Sequence, residues 1–375
     1  MWTICVILIL LYVSLILFII KGWDKVTDIE ILQQNPQTSF SIVIPFRNEE
    51  TNLDNLLNSI AQLDYPTNRF EVQLIDDDSK DDSLTIIQDF QASHGELNIH
   101  VFKNVTHSAS FKKDAIALGV EKAQFDWILT TDADCILPVE WLRSINSYII
   151  EQKVSMVAGP VSFSKQTGFL SQLQFYDMIG LQGLAIGASG LGRPFLCNGA
   201  NFGYTVQLYK KLNGFEQNDH IGSGDDLFFL NKALTFDPST IGFLTSKSAL
   251  VTTKAQTSWQ DLINQRRRWA SKTIPLQNGF GTLTTFIGLM GNLSIIGAFL
   301  LLFFGMIDPV LLVIMYLLKL IVDYLLIFKT STKLGLSISI GWFFLSNLAY
   351  PFFVLMVAMA SMNKGYSWKG RHYRN

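Results

Sequence analysis

Cysteine is scarce in this 375-residue sequence. Cys5, Cys135 and Cys197 lie far apart and are odd in number, so they read as neither a disulfide framework nor a metal-ligand cluster. A reduced, cytoplasmic setting suits the polar part of the chain. Charge is sparse too, at 16% of residues, and 29 basic residues nearly balance 31 acidic ones. That balance excludes nucleic-acid binding by bulk charge. There is no internal repeat, which argues against a transporter built from paired halves. What the chain has instead is apolar residues, 49% of the total, gathered at its two ends. That distribution points to a membrane protein.

Residues 2–20 carry no charge, and 19 residues suffice to cross about 30 Å of hydrocarbon. A cleaved signal peptide would begin with positive charge and end in small residues. Here Lys21 and Lys25 come afterwards, and the positive-inside rule puts the following residues in the cytoplasm. Three more apolar stretches occupy residues 283–306, 310–328 and 336–359. Three crossings would leave the tail outside, yet Lys364, Lys369, Arg371 and Arg374 favour the inside. Either one stretch is interfacial or re-entrant, or the rule fails here. Asp323, inside the stretch 310–328, is expected to face other helices or a polar cavity, because a lipid-facing carboxylate is costly.

Between these ends, residues 39–250 alternate strand and helix patterns. Strands are predicted at 40–44, 71–75, 99–102 and 127–131, and Leu53, Leu56, Leu57 and Ile60 show helical spacing. Such alternation predicts a parallel, right-handed βαβ sheet. Polar clusters follow the strands: Pro45 to Glu50 with Glu49, Asp76 to Ser79 with Asp77, and Phe111 to Asp114 with Lys112. The fourth strand delivers Asp132 and Asp134. Residues i and i+2 of a strand share a face, so both acids are expected to enter one site while Trp127, Ile128 and Leu129 stay in the core. Ligands of open α/β sheets bind at that end. Two hard oxygen donors there suit Mg²⁺ or Mn²⁺ carrying a diphosphate. An isolated Asp-X-Asp is more often a solvated turn, but clusters at several neighbouring strand ends favour a nucleotide site.

Further along, Asp225 and Asp226 follow flexible glycines and open an apolar, helical run; Asp225 could also merely cap it. The segment 259–269 has Gln265, Arg268 and Trp269 on one helical face and an amphipathic pattern suited to a membrane surface. Its arginines fit either anionic lipid or the bidentate clamping of diphosphate oxygens. The glycine-rich stretch 168–192 reads equally as an apolar groove or as a core helix and loop.

With these residues in view, the chain resembles membrane-bound, inverting family-two glycosyltransferases. The resemblance implies an α/β fold, a GT-A (Rossmann-like) nucleotide-sugar-binding domain flanked by transmembrane helices. It rests on Pro45–Glu50, Asp76–Ser79, Lys112, Asp132-Ala-Asp134, Asp225-Asp226 and Gln265-X-X-Arg268-Trp269, in that order. By that resemblance Asp77 contacts the nucleotide base, Lys112 lies near the nucleotide, Asp132 sits by ribose or metal, and Asp134 binds the divalent cation. Asp226 takes the place of the general base, with Asp225 second. Gln265, Arg268 and Trp269 line the diphosphate and the acceptor mouth, and Pro45 and Glu49 belong to the donor-binding set. Asp78 stands where glycine is common, and Asp225 where glutamate is usual.

The implied organisation is a membrane helix at 1–21, a linker at 22–38 and a cytoplasmic catalytic domain at 39–255. An interfacial helix at 256–280, about three membrane segments at 281–362 and a basic tail at 363–375 follow. The expected protein is a metal-dependent hexosyltransferase in a bacterial inner membrane. Its expected donor is a nucleotide-sugar, a UDP-sugar foremost, and its acceptor a lipid or glycan. A tail resembling ceramide-glucosyltransferase-like proteins (368–373) and the few C-terminal spans favour a lipid acceptor. A processive synthase of the hyaluronan, chitin or poly-N-acetylglucosamine type is the alternative, and a non-catalytic scaffold a lesser one.

Overall fold

The computed structural model describes residues 2–27, 29–32, 35–164, 167–219, 221–270, 278–362, 366–368 and 371–373. Lys364, Lys369 and Arg374, whose charge bears on the side of the tail, lie outside the described residues, as do residues 271–277 of the expected interfacial segment.

The strands are β1 (Phe40–Phe46), β2 (Phe70–Asp76), β3 (Ile99–Lys103), β4 (Trp127–Thr130), β5 (Met156–Ala158) and β6 (Val161–Phe163). They continue as β7 (Phe202–Thr205), β8 (Ile241–Phe243), β9 (Val251–Thr253), β10 (Tyr366–Trp368) and β11 (Arg371–Tyr373). The helices are α1 (Trp2–Trp23), α2 (Leu53–Ala61), α3 (Ser83–Ser93), α4 (Phe111–Lys122), α5 (Trp141–Gln152) and α6 (Gly168–Gly190). After them come α7 (Val206–Lys211), α8 (Asp225–Phe236), α9 (Trp259–Ala270), α10 (Gly279–Phe303), α11 (Pro309–Lys333) and α12 (Ile340–Ser361).

Seven strands form one sheet in the order β3-β2-β1-β4-β7-β5-β8. β1 alternates its side chains between two layers, as the pleat requires. Phe40, Ile42 and Ile44 pack with Leu53, Leu56, Leu57 and Ile60 of α2, and Val43 packs with Ala115 and Ile116 of α4. The four predicted strands are parallel, as expected. The sheet as a whole is mixed, because β7 enters antiparallel between β4 and β5. The chain reaches β7 from the long helix α6 rather than through a short crossover. It therefore escapes the handedness rule for βαβ units on which the all-parallel expectation rested.

Helix α6 joins the sheet domain to the apolar helices and packs against α1, α11 and α12. Its contact with α1 is a backbone approach: a Cβ on Gly22 would fall 1.9 Å from the Gly187 carbonyl oxygen. Only glycine permits that spacing. Residues 168–190 are thus a helix, with Leu173, Phe175 and Tyr176 buried in packing and Met178, Leu181 and Ala185 facing a cavity. The helix thus packs on one face and lines the cavity with another.

Among the described residues, four helices, α1, α10, α11 and α12, are long and apolar enough to cross a membrane. Asp323 of α11 faces other helices, as expected. Its carboxylate accepts from Tyr12 (2.6 Å), Lys319 (2.5 Å) and Asn347 (2.7 Å), which ties α1, α11 and α12 together.

Candidate functional site

The predicted polar clusters converge on the carboxyl edge of β1, β2 and β4. Phe46 at the end of β1 pairs with Asp76 at the end of β2. Asp77 follows, with its backbone N–H on the Phe46 carbonyl (2.9 Å). Arg47 donates to the Asp77 carbonyl (2.6 Å) and the Asp78 carbonyl (3.0 Å), lashing the two strand ends together. Glu49 is buried, and its N–H donates to Ser83 Oγ (2.9 Å). Asp78 adopts φ 63°, in the left-handed region where glycine is at ease and aspartate is tolerated.

β4 buries Trp127, Ile128 and Leu129 as expected, but it ends at Thr130. Asp132 and Asp134 lie beyond it, in a turn where the Cys135 N–H donates to the Asp132 carbonyl (3.1 Å). Turn geometry, not strand alternation, therefore aims both acids into one cavity, with Ala133 buried between them. Beneath them, burial and then the charges of Asp134 and Asp132 push the Cys135 thiol well up, so it stays protonated.

Lys112, in the first turn of α4, donates to Asp132 Oδ1 (2.6 Å) and lies 3.5 Å from Asp225 Oδ2. Burial works against its ammonium, but these carboxylates outweigh it and hold the pKa above the ordinary lysine value. For Asp132, burial pushes the carboxyl up, while Lys112 and then Arg268 pull it down, for a net lowering.

Asp225 and Asp226 begin α8, whose N-terminal dipole favours carboxylates. Asp226 accepts from the Gly199 N–H (3.0 Å) and the Leu227 N–H (2.8 Å). Gly199 is needed because a Cβ there would lie 2.9 Å from Asp225 Oδ2. Asn201 fixes this segment: it accepts from Trp141 Nε1 (3.0 Å) and donates to the carbonyls of Pro160 (2.9 Å) and Ala249 (2.8 Å). Sequence reasoning passed over Gly199 and Asn201; the turn-rich run Asn198 to Asn201 ahead of a strand was the available signal.

Helix α9 brings Gln265, Arg268 and Trp269 to the same cavity, as their spacing predicts. Arg266, which that spacing leaves aside, anchors the helix. Its guanidinium pairs with buried Asp177 of α6 (2.9 and 2.7 Å), and Tyr350 of α12 donates to the other Asp177 oxygen (2.8 Å). It also stacks 4.2 Å from the Trp269 ring centroid. A lone acid in an apolar 23-residue helix was the missed cue.

Two hollows meet at Lys112, Asp132, Asp134 and Arg268. The smaller, about 100 Å³, is walled by Pro45, Glu49, Asp77 and Phe111. The larger, about 570 Å³, holds Asp225, Asp226 and Gln265 at its polar end. It continues between Leu15 of α1, Gly288 of α10 and Phe353 of α12. All eleven residues singled out in the sequence line one hollow or both. Among the described residues no group of three His, Cys, Asp or Glu side chains could hold a metal ion.

Comparison with known proteins follows the same outline. The family Glycosyl transferase family 2 matches residues 41–212, and Glycosyl transferase family group 2 matches residues 127–362. Among solved structures, the mannosyltransferase PcManGT from Pyrobaculum calidifontis, in complex with GDP-Man and Mn²⁺, superposes with a TM-score of 0.62. The two are 14% identical, over 96% of this chain and 98% of that one, a likeness of fold. The poly(ribitol-phosphate) β-N-acetylglucosaminyltransferase TarS of Staphylococcus aureus is 31% identical over 112 residues, 30% of this chain and 19% of that protein. An undecaprenyl-phosphate 4-deoxy-4-formamido-L-arabinose transferase of Shewanella sediminis is 37% identical over 116 residues, 30% of this chain and 34% of that protein. The chain thus matches only a fifth to a third of these two relatives.

Proposed function

We propose a function from one premise: the chain belongs to Glycosyl transferase family group 2 and has the GT-A fold. On our reading it is an inverting hexosyltransferase that moves a sugar from a nucleotide-diphosphate sugar to a lipid acceptor at the membrane surface. One observation carries this: the cavity holding Asp132, Asp134 and Asp226 runs on between apolar helices α1, α10 and α12. A water-soluble acceptor would not need those walls, whereas an acyl or prenyl chain gains by burying against them. The likeness to an undecaprenyl-phosphate 4-deoxy-4-formamido-L-arabinose transferase supports a membrane-borne acceptor.

The smaller hollow beside Asp77 takes the nucleotide. Lys112 and Arg268 face the diphosphate and offset the charge it gains as it leaves. Displacement at the anomeric carbon passes through an oxocarbenium-like state, and a single in-line attack inverts it. Asp226, its two oxygens oriented by the Gly199 and Leu227 N–H groups, takes the proton of the attacking hydroxyl. Asp134 and Asp132 would hold Mg²⁺ or Mn²⁺. Two carboxylates make an incomplete shell, which suits a cation that draws its remaining oxygens from a diphosphate. Such an ion supplies charge neutralisation to the leaving group. Asp134 would be the main ligand and Asp132, whose Oδ1 also accepts from Lys112, the second. The catalytic domain, on this reading, is cytoplasmic.

The test is turnover of nucleotide sugars by the purified protein in lipid nanodiscs supplied with membrane lipid extract, with product mass as readout. A single glycolipid should form, and Asp226→Asn should cut its rate by about 10²- to 10⁴-fold while nucleotide still binds. Long polymer made without lipid acceptor would instead identify a processive synthase and sink the proposal.

A further inference from the structure

We propose that Arg371, near the C-terminus, is a positioning residue of the nucleotide pocket. The inference rests on the reading of the smaller hollow as the donor site. Arg371 Nη1 donates to Asp77 Oδ2, and its guanidinium lies 3.5 Å from the centroid of the Phe111 ring. Asp77 Oδ1 accepts from Asn104 Nδ2 (3.0 Å), which also donates to the Phe111 carbonyl (3.1 Å). Arg371 and Asn104 thus tie Asp77 to Phe111, two walls of the same hollow. Asn104 follows β3, but Arg371 comes from 294 residues beyond Asp77.

The hollow stays open with Arg371 in place, and its walls are formed by other side chains. Arg371 meets Asp77 at one carboxylate oxygen and Phe111 over one face of its ring. A carboxylate has about four acceptor sites, so two bonds leave room for an N–H of a nucleobase. The arginine therefore orients the acid and the ring without competing for the base. Its planar, delocalised cation suits both tasks at once, a hydrogen-bonded ion pair and a stack on an aromatic face.

This role puts the tail on the catalytic side of the membrane. Tyr366, the first residue of β10, follows Ser361 by five residues, a reach of at most about 18 Å. β10 packs on α9, so the end of α12 cannot lie across a bilayer core of about 30 Å from α9. The start of α12 is on the same side: Tyr176 exchanges hydrogen bonds with the Ser339 backbone (2.7 and 2.9 Å), and Gly335 abuts Lys247 of the catalytic domain. With both ends held on the catalytic side, the single 22-residue helix α12 would lie along that membrane face, leaving α1, α10 and α11 to cross.

The full-length protein in nanodiscs is titrated with UDP and with GDP, and donor and acceptor kinetics are measured alongside. Arg371→Ala should weaken binding of the preferred nucleotide about tenfold or more, the scale of a lost charge-assisted bond. The donor KM should rise with it, kcat and acceptor KM should hold, and Arg371→Lys should recover part of the loss. Equal or tighter nucleotide binding by Arg371→Ala overturns the proposal. Failure of the unaltered protein to bind either nucleotide overturns the donor-site reading and this inference with it. Independently of folding in that variant, Asn375→Cys and Lys80→Cys should react with an impermeant maleimide from the same membrane face. Labelling from opposite faces overturns the proposal.

Discussion

Asp78 is held at φ 63°, which an L-residue occupies at a cost of roughly 1–2 kcal/mol. Aspartate tolerates the conformation; a β-branched side chain does not. Asp78→Val should lower stability by about 1–2 kcal/mol, read from the thermal midpoint in detergent, and loosen the Arg47 lashing of the two strand ends. The sequence flagged the departure from glycine there, and the backbone explains how it is accommodated. Lys112 and Asp132 give a second residue-level expectation. Asp132 is ionised to a lower pH than an ordinary carboxylate, so its contribution holds above that ordinary value and fades as pH falls through the lowered one. Lys112→Met removes the main charge that lowers it. The acid limb of nucleotide binding should then move to higher pH, and an unmoved limb would show that Asp132 does not govern it. At this scale the polar residues that converge on the cavity were legible, because carboxylates and cations at strand ends are costly unless something uses them.

Helix α9 shows where such legibility stops. The 3.6-residue period fixes which residues share its face, and Gln265, Arg268 and Trp269 do face the cavity. What the helix packs against depends on partners distant in sequence. The Asp177–Arg266 pair is buried and is completed by Tyr350 from a third helix. Asp177→Asn would leave Arg266 buried without its counter-charge, a loss of about 3–5 kcal/mol. We expect a lower thermal midpoint together with slowed transfer, because Gln265 and Arg268 of α9 then lose their fixed place at the cavity. Normal transfer in a destabilised protein would show that α9 keeps its place without the pair. The mixed sheet is a similar case: local patterns reveal the four parallel strands, while the direction of β7 follows from the path of α6.

Across the whole molecule, the apolar helices and the sheet domain form one structure joined through α6. The Asp323 cluster is a buried polar tie within it, binding Tyr12, Lys319 and Asn347 from three helices. Asp323→Ala would strand the fully buried Lys319 ammonium, again at about 3–5 kcal/mol. The bundle should dissociate or unfold at lower temperature in detergent, which a melting curve followed by size-exclusion chromatography would register. A wild-type melting curve would mean that Lys319 finds another acceptor. The same architecture explains why the tail reaches Asp77, a contact for which local patterning offers no cue.

Hydropathy, periodicity and the chemistry of short motifs determined the long apolar helices, the parallel half of the sheet and the polar residues that line the candidate cavity. Those properties are set by each segment's own side chains and by the cost of burying charge or exposing apolar surface. Tertiary structure alone decided what each segment meets. It turned Asp132 and Asp134 into one cavity, placed Arg266 on Asp177, inserted β7 antiparallel and brought Arg371 to Asp77. These are contacts between segments tens to hundreds of residues apart, and only the packed chain selects them.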